Sequence, residues 1–313
     1  MHRDFRAFSD AYYGPINSWC TSQVTSFLAV FASYETFNEP LDQWDLSAAT
    51  SVFYMFKDAK AFNQDISAWN MANVQDMGFM FNGAESFNQP LNDWDVSSVT
   101  NMGQMFQDAK KFNQDLGEWD TTSVTNLGYM FAGATSFNGN LDNWDTSKVT
   151  DMSSFASGAT AFNSFIGHFD TSSVVRMSSA FQNAKSFDGM GLWDWDMTSV
   201  KYMTFMFYGA TSFNVPLDTW DLRNVKSLWA VFMNSGFNQD ISDWDVSRVE
   251  DFEDLFRDSA YNQNTCAWKA QVEANPNRSK ILVKNMFYKS ACPVTTDPVL
   301  GSTTPTSWCH VCA

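Results

Sequence analysis

Cations and histidines are scarce in this chain. Its 19 Lys and Arg face 35 Asp and Glu, a formal net charge of −16. Such a surface repels phosphate, which excludes nucleic acid and an acidic membrane surface as partners. The three histidines, His2, His168 and His310, lie far apart, so neither a catalytic triad nor a histidine metal cluster is indicated. A Gly-rich phosphate loop is also missing. The longest apolar run, about Phe27 to Ala32, falls well short of the roughly 20 residues of a spanning helix. No transmembrane segment is therefore expected. Met1 to Phe5 contain no apolar h-region of a secretory signal.

What the chain has in excess is aromatic mass. Phe 29, Trp 13 and Met 16 are too many for a disordered acidic polymer. They recur with a fixed period. Trp19, Trp44, Trp69, Trp94, Trp119 and Trp144 are each 25 residues apart, and Phe-Asn keeps the same interval from Phe37 to Phe162. Phe169 then replaces Trp, and the array resumes through Trp195, Trp220 and Trp244 with slips of one residue.

Within one unit, Trp94 and Val96 alternate with Asp95 and Ser97, the period of a short strand. From Val99 through Met102, Met105, Phe106 and Ala109 the steps become three and four, which predicts a short helix. Neither element is stable alone. The expected fold is therefore an α/β, right-handed, leucine-rich-repeat-like solenoid. About ten coils, each with one parallel strand and one helix, bury their apolar side chains only against neighbours. The Trp column (Trp44, Trp69, Trp94, Trp119, Trp144, Trp195, Trp220, Trp244) is read as its core ladder, with a sugar-stacking platform as the alternative.

The expected organisation is a partial repeat at 1–15, repeats over 16–263, a capping coil at 264–293 and a Thr/Pro-rich tail at 294–313. The partial unit predicts that sequence upstream, a leader included, is missing. Cys266 and Cys292 bracket the cap and are expected to pair, stabilising the end coil by about 3 kcal/mol. Cys309 and Cys312 could form a short disulfide, a metal half-site or the start of a truncated module, and Cys20 is left over.

One acidic residue per coil forms a column: Asp45, Asp95, Asp120, Asp145, Asp170, Asp196, Asp221 and Asp245, with Asn70 in register. Carboxylates about 4.8 Å apart repel by about 0.9 kcal/mol in water and by about 3.5 at an effective dielectric of 20. Either backbone and hydroxyl donors satisfy them, or Asp95, Asp120, Asp145, Asp170, Asp196, Asp221 and Asp245 hold Ca²⁺ as the one cofactor. The Asn column beginning at Asn38 and Asn63 is read as a structural ladder.

The unit from Trp94 to Leu116, W-D-V-S-S-V-T-N-M-x-x-M-F-x-x-A-x-x-F-N-Q-x-L, resembles the repeats of BspA-type bacterial surface proteins. Mycoplasma surface lipoproteins and marine microalgae contain similar arrays. The resemblance spans about residues 12 to 292 and implies a secreted or cell-surface, non-enzymatic protein acting in adhesion or protein and matrix recognition. Its ligand would be an extracellular protein or glycan. Calcium-dependent glycan binding and polysaccharide cleavage are the alternatives.

Overall fold

In a computed structural model, which describes residues 14–301 and 307–312, the 25-residue units lie one upon another. Parallel bridges join equivalent residues of successive rungs, running Ser26–Ser51–Asp76–Asn101–Asn126–Asp151–Arg176–Tyr202 and then Ser227–Asp251–Leu282. The rungs themselves are chains of turns. Among the described residues the only α-helix is α1, Ala267–Ala274, and the only paired strands are β1, Ser307–Trp308, and β2, His310–Val311. The expected α/β, leucine-rich-repeat-like architecture, with a strand and a helix in every coil, is therefore incorrect.

The backbone shows why. Between Met102 and Ala109 three turns overlap, through Met105 N–H to Met102 O, Gln107 N–H to Gln104 O, and Ala109 N–H to Phe106 O. These are i to i−3 bonds, whereas an α-helix closes i to i−4. The alternate amides of Met102, Gln104, Phe106 and Asp108 point out of the rung and donate to Asn126, Gly128, Met130 and Ala132 of the next. Gln104 and Asp108 both have positive φ, near 60° and 56°, which interrupts a right-handed helix twice. Steps of three and four thus arise from consecutive turns. The predicted strand fails similarly, because Trp94 N–H closes a turn on Leu91 O and Val99 N–H closes another on Val96 O.

Positive φ recurs at the same two places in nearly every rung. From Asp58 to Asp258 the second is filled by Asp58, Gly83, Asp108, Gly133, Gly158, Asn183, Gly209, Asn234 and Asp258, the residue types that tolerate this region best, with Ser33 and Lys289 in the end rungs. The alternation has a packing cause. A Cβ at Gly83 would run into Asp58 Oδ1, and one at Gly133 into Asp108 Oδ1. Gly83 and Gly133 make room for the carboxylate of the preceding rung, and Gly209 does the same for the amide oxygen of Asn183.

The core consists of ring stacks. Phe56, Phe81, Phe106 and Phe131 succeed one another at 5.6–5.8 Å and nearly parallel. A second stack, through Phe62, Phe87, Phe112 and Phe137, lies beside it, with Phe106 and Phe112 only 3.9 Å apart. Such offset stacks add to the area these rings bury. Trp44, Trp69, Trp94, Trp119, Trp144, Trp195, Trp220 and Trp244 are all buried, and each indole N–H donates to a carbonyl of the preceding rung.

At the C-terminal end α1 takes the place of a coil start. Its Trp268 stacks on Trp244 at 6.3 Å and donates to Ile241 O, so the register survives the change of backbone. The disulfides are Cys266–Cys312 and Cys292–Cys309. The expected Cys266–Cys292 pair is absent, and a Cys309–Cys312 link is excluded with it. Residues 307–312 are consequently part of the cap: Trp308 is buried edge-on against Phe252, and its carbonyl accepts from Thr265 Oγ1 at 3.0 Å. Cys20 is free and exposed. The predicted partial repeat at 1–15 falls almost wholly outside the described residues.

Candidate functional site

The acidic column is an ordered set of turn caps. Oδ1 of Asp45, Asp95, Asp120, Asp145, Asp170, Asp196, Asp221 and Asp245 each accepts the backbone N–H two residues on, at 2.8–3.1 Å. Asn70 does the same for Ala72. Ser97 and Thr122 add their hydroxyls at 2.6 and 2.7 Å. The Ser47, Ser97, Ser147 and Ser247 side chains, helped by their amides, hold Asp45, Asp95, Asp145 and Asp245 below the usual carboxylate range. Arg223 does so for Asp221, with which it forms an ion pair. An open depression of about 450 Å³ lies here, lined by Asp221, Arg223, Asp243, Asp245 and Arg248. Among the described residues no three His, Cys, Asp or Glu side chains converge as metal ligands.

The Asn column runs along another edge. Asn63, Asn88, Asn113, Asn138 and Asn163 each donate a backbone N–H to the side-chain oxygen of the Asn one rung before, at 2.7–2.9 Å. Gln64, Gln89 and Gln114 reach back to the same residue, closing each step twice. These side-chain oxygens and backbone N–H groups are engaged in joining rungs.

Sequence reasoning missed a second amide ladder, on the bridge line. Asn101 Nδ2 donates to Asp76 Oδ1 at 2.8 Å, and Asn126 Nδ2 to Asn101 Oδ1 at 3.0 Å. Oδ1 of Asp76, Asn101 and Asn126 also accepts the backbone N–H of Gly78, Gly103 and Gly128 respectively. A Cβ at Gly103 would come within 2.7 Å of Asn126 Nδ2, so glycine is what lets the amides stack. Large rings occupy the glycine column or the next at both ends of this stretch. Phe53, Tyr54 and Phe79 cluster with centroids 4.2–5.4 Å apart, and Phe205 meets Trp229 at 4.5 Å. The signal in the sequence was the column Phe53, Gly78, Gly103, Gly128, Ser153, Ser178, Thr204, Trp229, read down the repeats instead of along the chain.

The two sets of columns behave differently. Inward positions repeat one residue type almost unchanged, while this outward column passes from Phe through Gly and Ser to Trp. Lys111, Glu118 and Lys148 are exposed and each differs from its counterparts, while Gln107 is half-buried and recurs only as Gln182.

No curated protein and no solved structure matches the chain. No helix among the described residues is long and apolar enough to cross a membrane. The family model for DUF285, described as a Mycoplasma protein of unknown function, matches residues 1–116, 65–163, 104–194, 137–235 and 189–291. Its five overlapping matches cover the whole repeat array, and the chain belongs to this repeat family.

Proposed function

We propose that this chain is a non-enzymatic, secreted or surface-displayed repeat protein whose outward columns recognise an extracellular protein or matrix component. The observation that carries the reading is the separation of tasks within each rung. Apolar and Asn positions are spent on rung-to-rung contacts, and the residues that vary face outward, where they can change without disturbing the stack. Two disulfides in the cap fit an oxidising compartment, since reduced thiols prevail in the cytosol. The BspA-type resemblance of the unit supports adhesion as the use.

The test is a binding array of matrix proteins and glycans probed with the purified full chain. Saturable binding to a protein or matrix component, weakened by substitutions at Phe53, Phe79 or Trp229, is expected. Turnover of a polysaccharide, or an array without a single saturable interaction, would overturn the reading.

A further inference from the structure

The repeat is its own control: the other rungs show what the scaffold needs at each place. At one outward column the chain carries Asp65, Pro90, Asp115, Asn140, then Phe165 and Met190, and returns to Pro216 and Asp240. Two columns on it carries Ser67, Asn92, Gly117, Asp142 and Gly167, then Trp193, before Asp218 and Ser242. Small, polar or proline residues therefore satisfy the fold at these positions. The three large apolar side chains stay substantially exposed, Phe165 at 50%, Met190 at 58% and Trp193 at 38%, although the Phe165 ring also stacks on His168 at 5.9 Å.

The Phe165 ring and the Met190–Trp193 stretch meet at a pair of glycines. The Phe165 ring lies across the backbone of two facing glycines: a Cβ on Gly167 would meet the ring at 2.9 Å and Gly191 Cα at 2.7 Å, and one on Gly191 would meet the ring at 2.9 Å. Gly191 is the inserted residue that lengthens this rung, and it sets the 3-10 turn Leu192–Asp194 with φ near 91°. That turn carries Trp193 outward, and Thr219 Oγ1 fixes its carbonyl at 2.6 Å. The insertion, the glycine pair and the three apolar side chains thus fall together in the one stretch where the period slips.

Charge identifies the partner. Asp188 caps Met190 N–H, Asp194 follows Trp193, and Asp218 is its column neighbour in the next rung. None of these three forms an ion pair among the described residues. A second copy would bring another −16 to the contact, which disfavours self-association. Exposed apolar side chains beside three carboxylates that lack ion pairs fit a cationic segment instead.

Resting on the recognition reading above, we infer that Phe165, Met190 and Trp193 form a docking patch for a basic protein segment that carries exposed aliphatic or aromatic side chains among Lys or Arg. The probes are three fluorescein-labelled peptides of equal length, alternating Lys with Leu, Lys with Ser, and Glu with Leu, titrated by anisotropy into the full chain. Only the Lys/Leu peptide is expected to bind, with affinity falling as salt rises. The combined substitution Phe165→Asn, Met190→Asn and Trp193→Ser is expected to lower that affinity at least tenfold, while Tyr129→Ser, at an exposed aromatic elsewhere, leaves it unchanged. If the triple variant melts early, Trp193→Ser alone is expected to lose several-fold.

Equal binding of the Lys/Ser peptide, no binding of the Lys/Leu peptide, or an unaffected triple variant would overturn the patch. So would self-association of the wild type that the triple variant abolishes, since the occupant would then be a second copy. The array separates the two readings: hits retained by the triple variant leave recognition standing and remove the patch, whereas an empty array removes recognition itself.

Discussion

The indole N–H of Trp119 donates to the carbonyl of Leu91, 28 residues earlier and one rung below, at 2.8 Å. The bond recurs from Trp44 to Trp268, so each Trp both fills the core and ties its rung to the one before it. Phe169 is a natural test of how much the ring alone supplies. It stacks on Trp144 at 6.1 Å with planes 4° apart, yet has no donor for Leu141 O. Trp119→Phe is therefore expected to fold with its stack intact and to lose about 1–3 kcal/mol, the bond plus the lost ring area. Urea denaturation of the variant checks this. An unchanged midpoint would mean that the inter-rung indole bond contributes nothing net.

The capped carboxylates predict acid sensitivity of a defined sign. Hydrogen bonds from serine hydroxyls and amides hold Asp45, Asp95, Asp145 and Asp245 below their unfolded value of about 3.9. Their contribution is then complete above about pH 4 and is lost as pH falls through the lowered folded-state values. Asn70 makes the same turn without a titrating group. Asp95→Asn combined with Asp145→Asn and Asp245→Asn should therefore flatten the loss of melting temperature between about pH 4 and pH 2. Because these oxygens already accept protein donors, millimolar Ca²⁺ or chelator is expected to leave the melting temperature at pH 7 unchanged.

The period, the buried columns and the Asn ladder could be read from the sequence, because each depends on which residue recurs and stacking makes recurrence visible. The backbone could not be read from apolar spacing. Val99, Met102, Met105, Phe106 and Ala109 fit a helical face as well as they fit linked turns, since both bring every third or fourth side chain inward. The discriminating signal lay in the column from Asp58 to Asp258, where only Gly, Asp and Asn occur, the residues that accept positive φ. The cap pairing was hidden for another reason. Sequence places Cys266 and Cys292 at the ends of one unit, but the chain beyond it returns, so that Cys309 and Cys312 reach both.

Tyr261 stands in the second phenyl stack, 6.1 Å from Phe237 and 3.7 Å from Phe256. Its hydroxyl is buried without a hydrogen-bond partner, and burial, with the charge of Asp240, pushes its pKa far above the ordinary value. Nine rungs carry Phe at this position, so the hydroxyl adds a desolvation cost with no compensating bond. Tyr261→Phe is expected to raise stability by about 1 kcal/mol, seen as a higher denaturation midpoint. A lower midpoint would show that the hydroxyl has a partner in solution.

Closure of the C-terminal end rests on residues 307–312. On the chain-entropy estimate, loops closed by links 46 and 17 residues apart are worth about 4 and about 3 kcal/mol. Rungs are coupled only to neighbours, so the loss should stay local. In Cys292→Ser with Cys309→Ser, amide hydrogen exchange is expected to quicken around Phe252, Trp268 and Phe287, while the rungs of Phe56 to Phe106 keep their protection. Peptide mapping without reduction should find Cys20 as the one alkylatable thiol in the unmodified chain. Recovery of a Cys266–Cys292 peptide would contradict the cap, and uniform acceleration along the whole array would contradict the neighbour-only coupling on which this prediction depends.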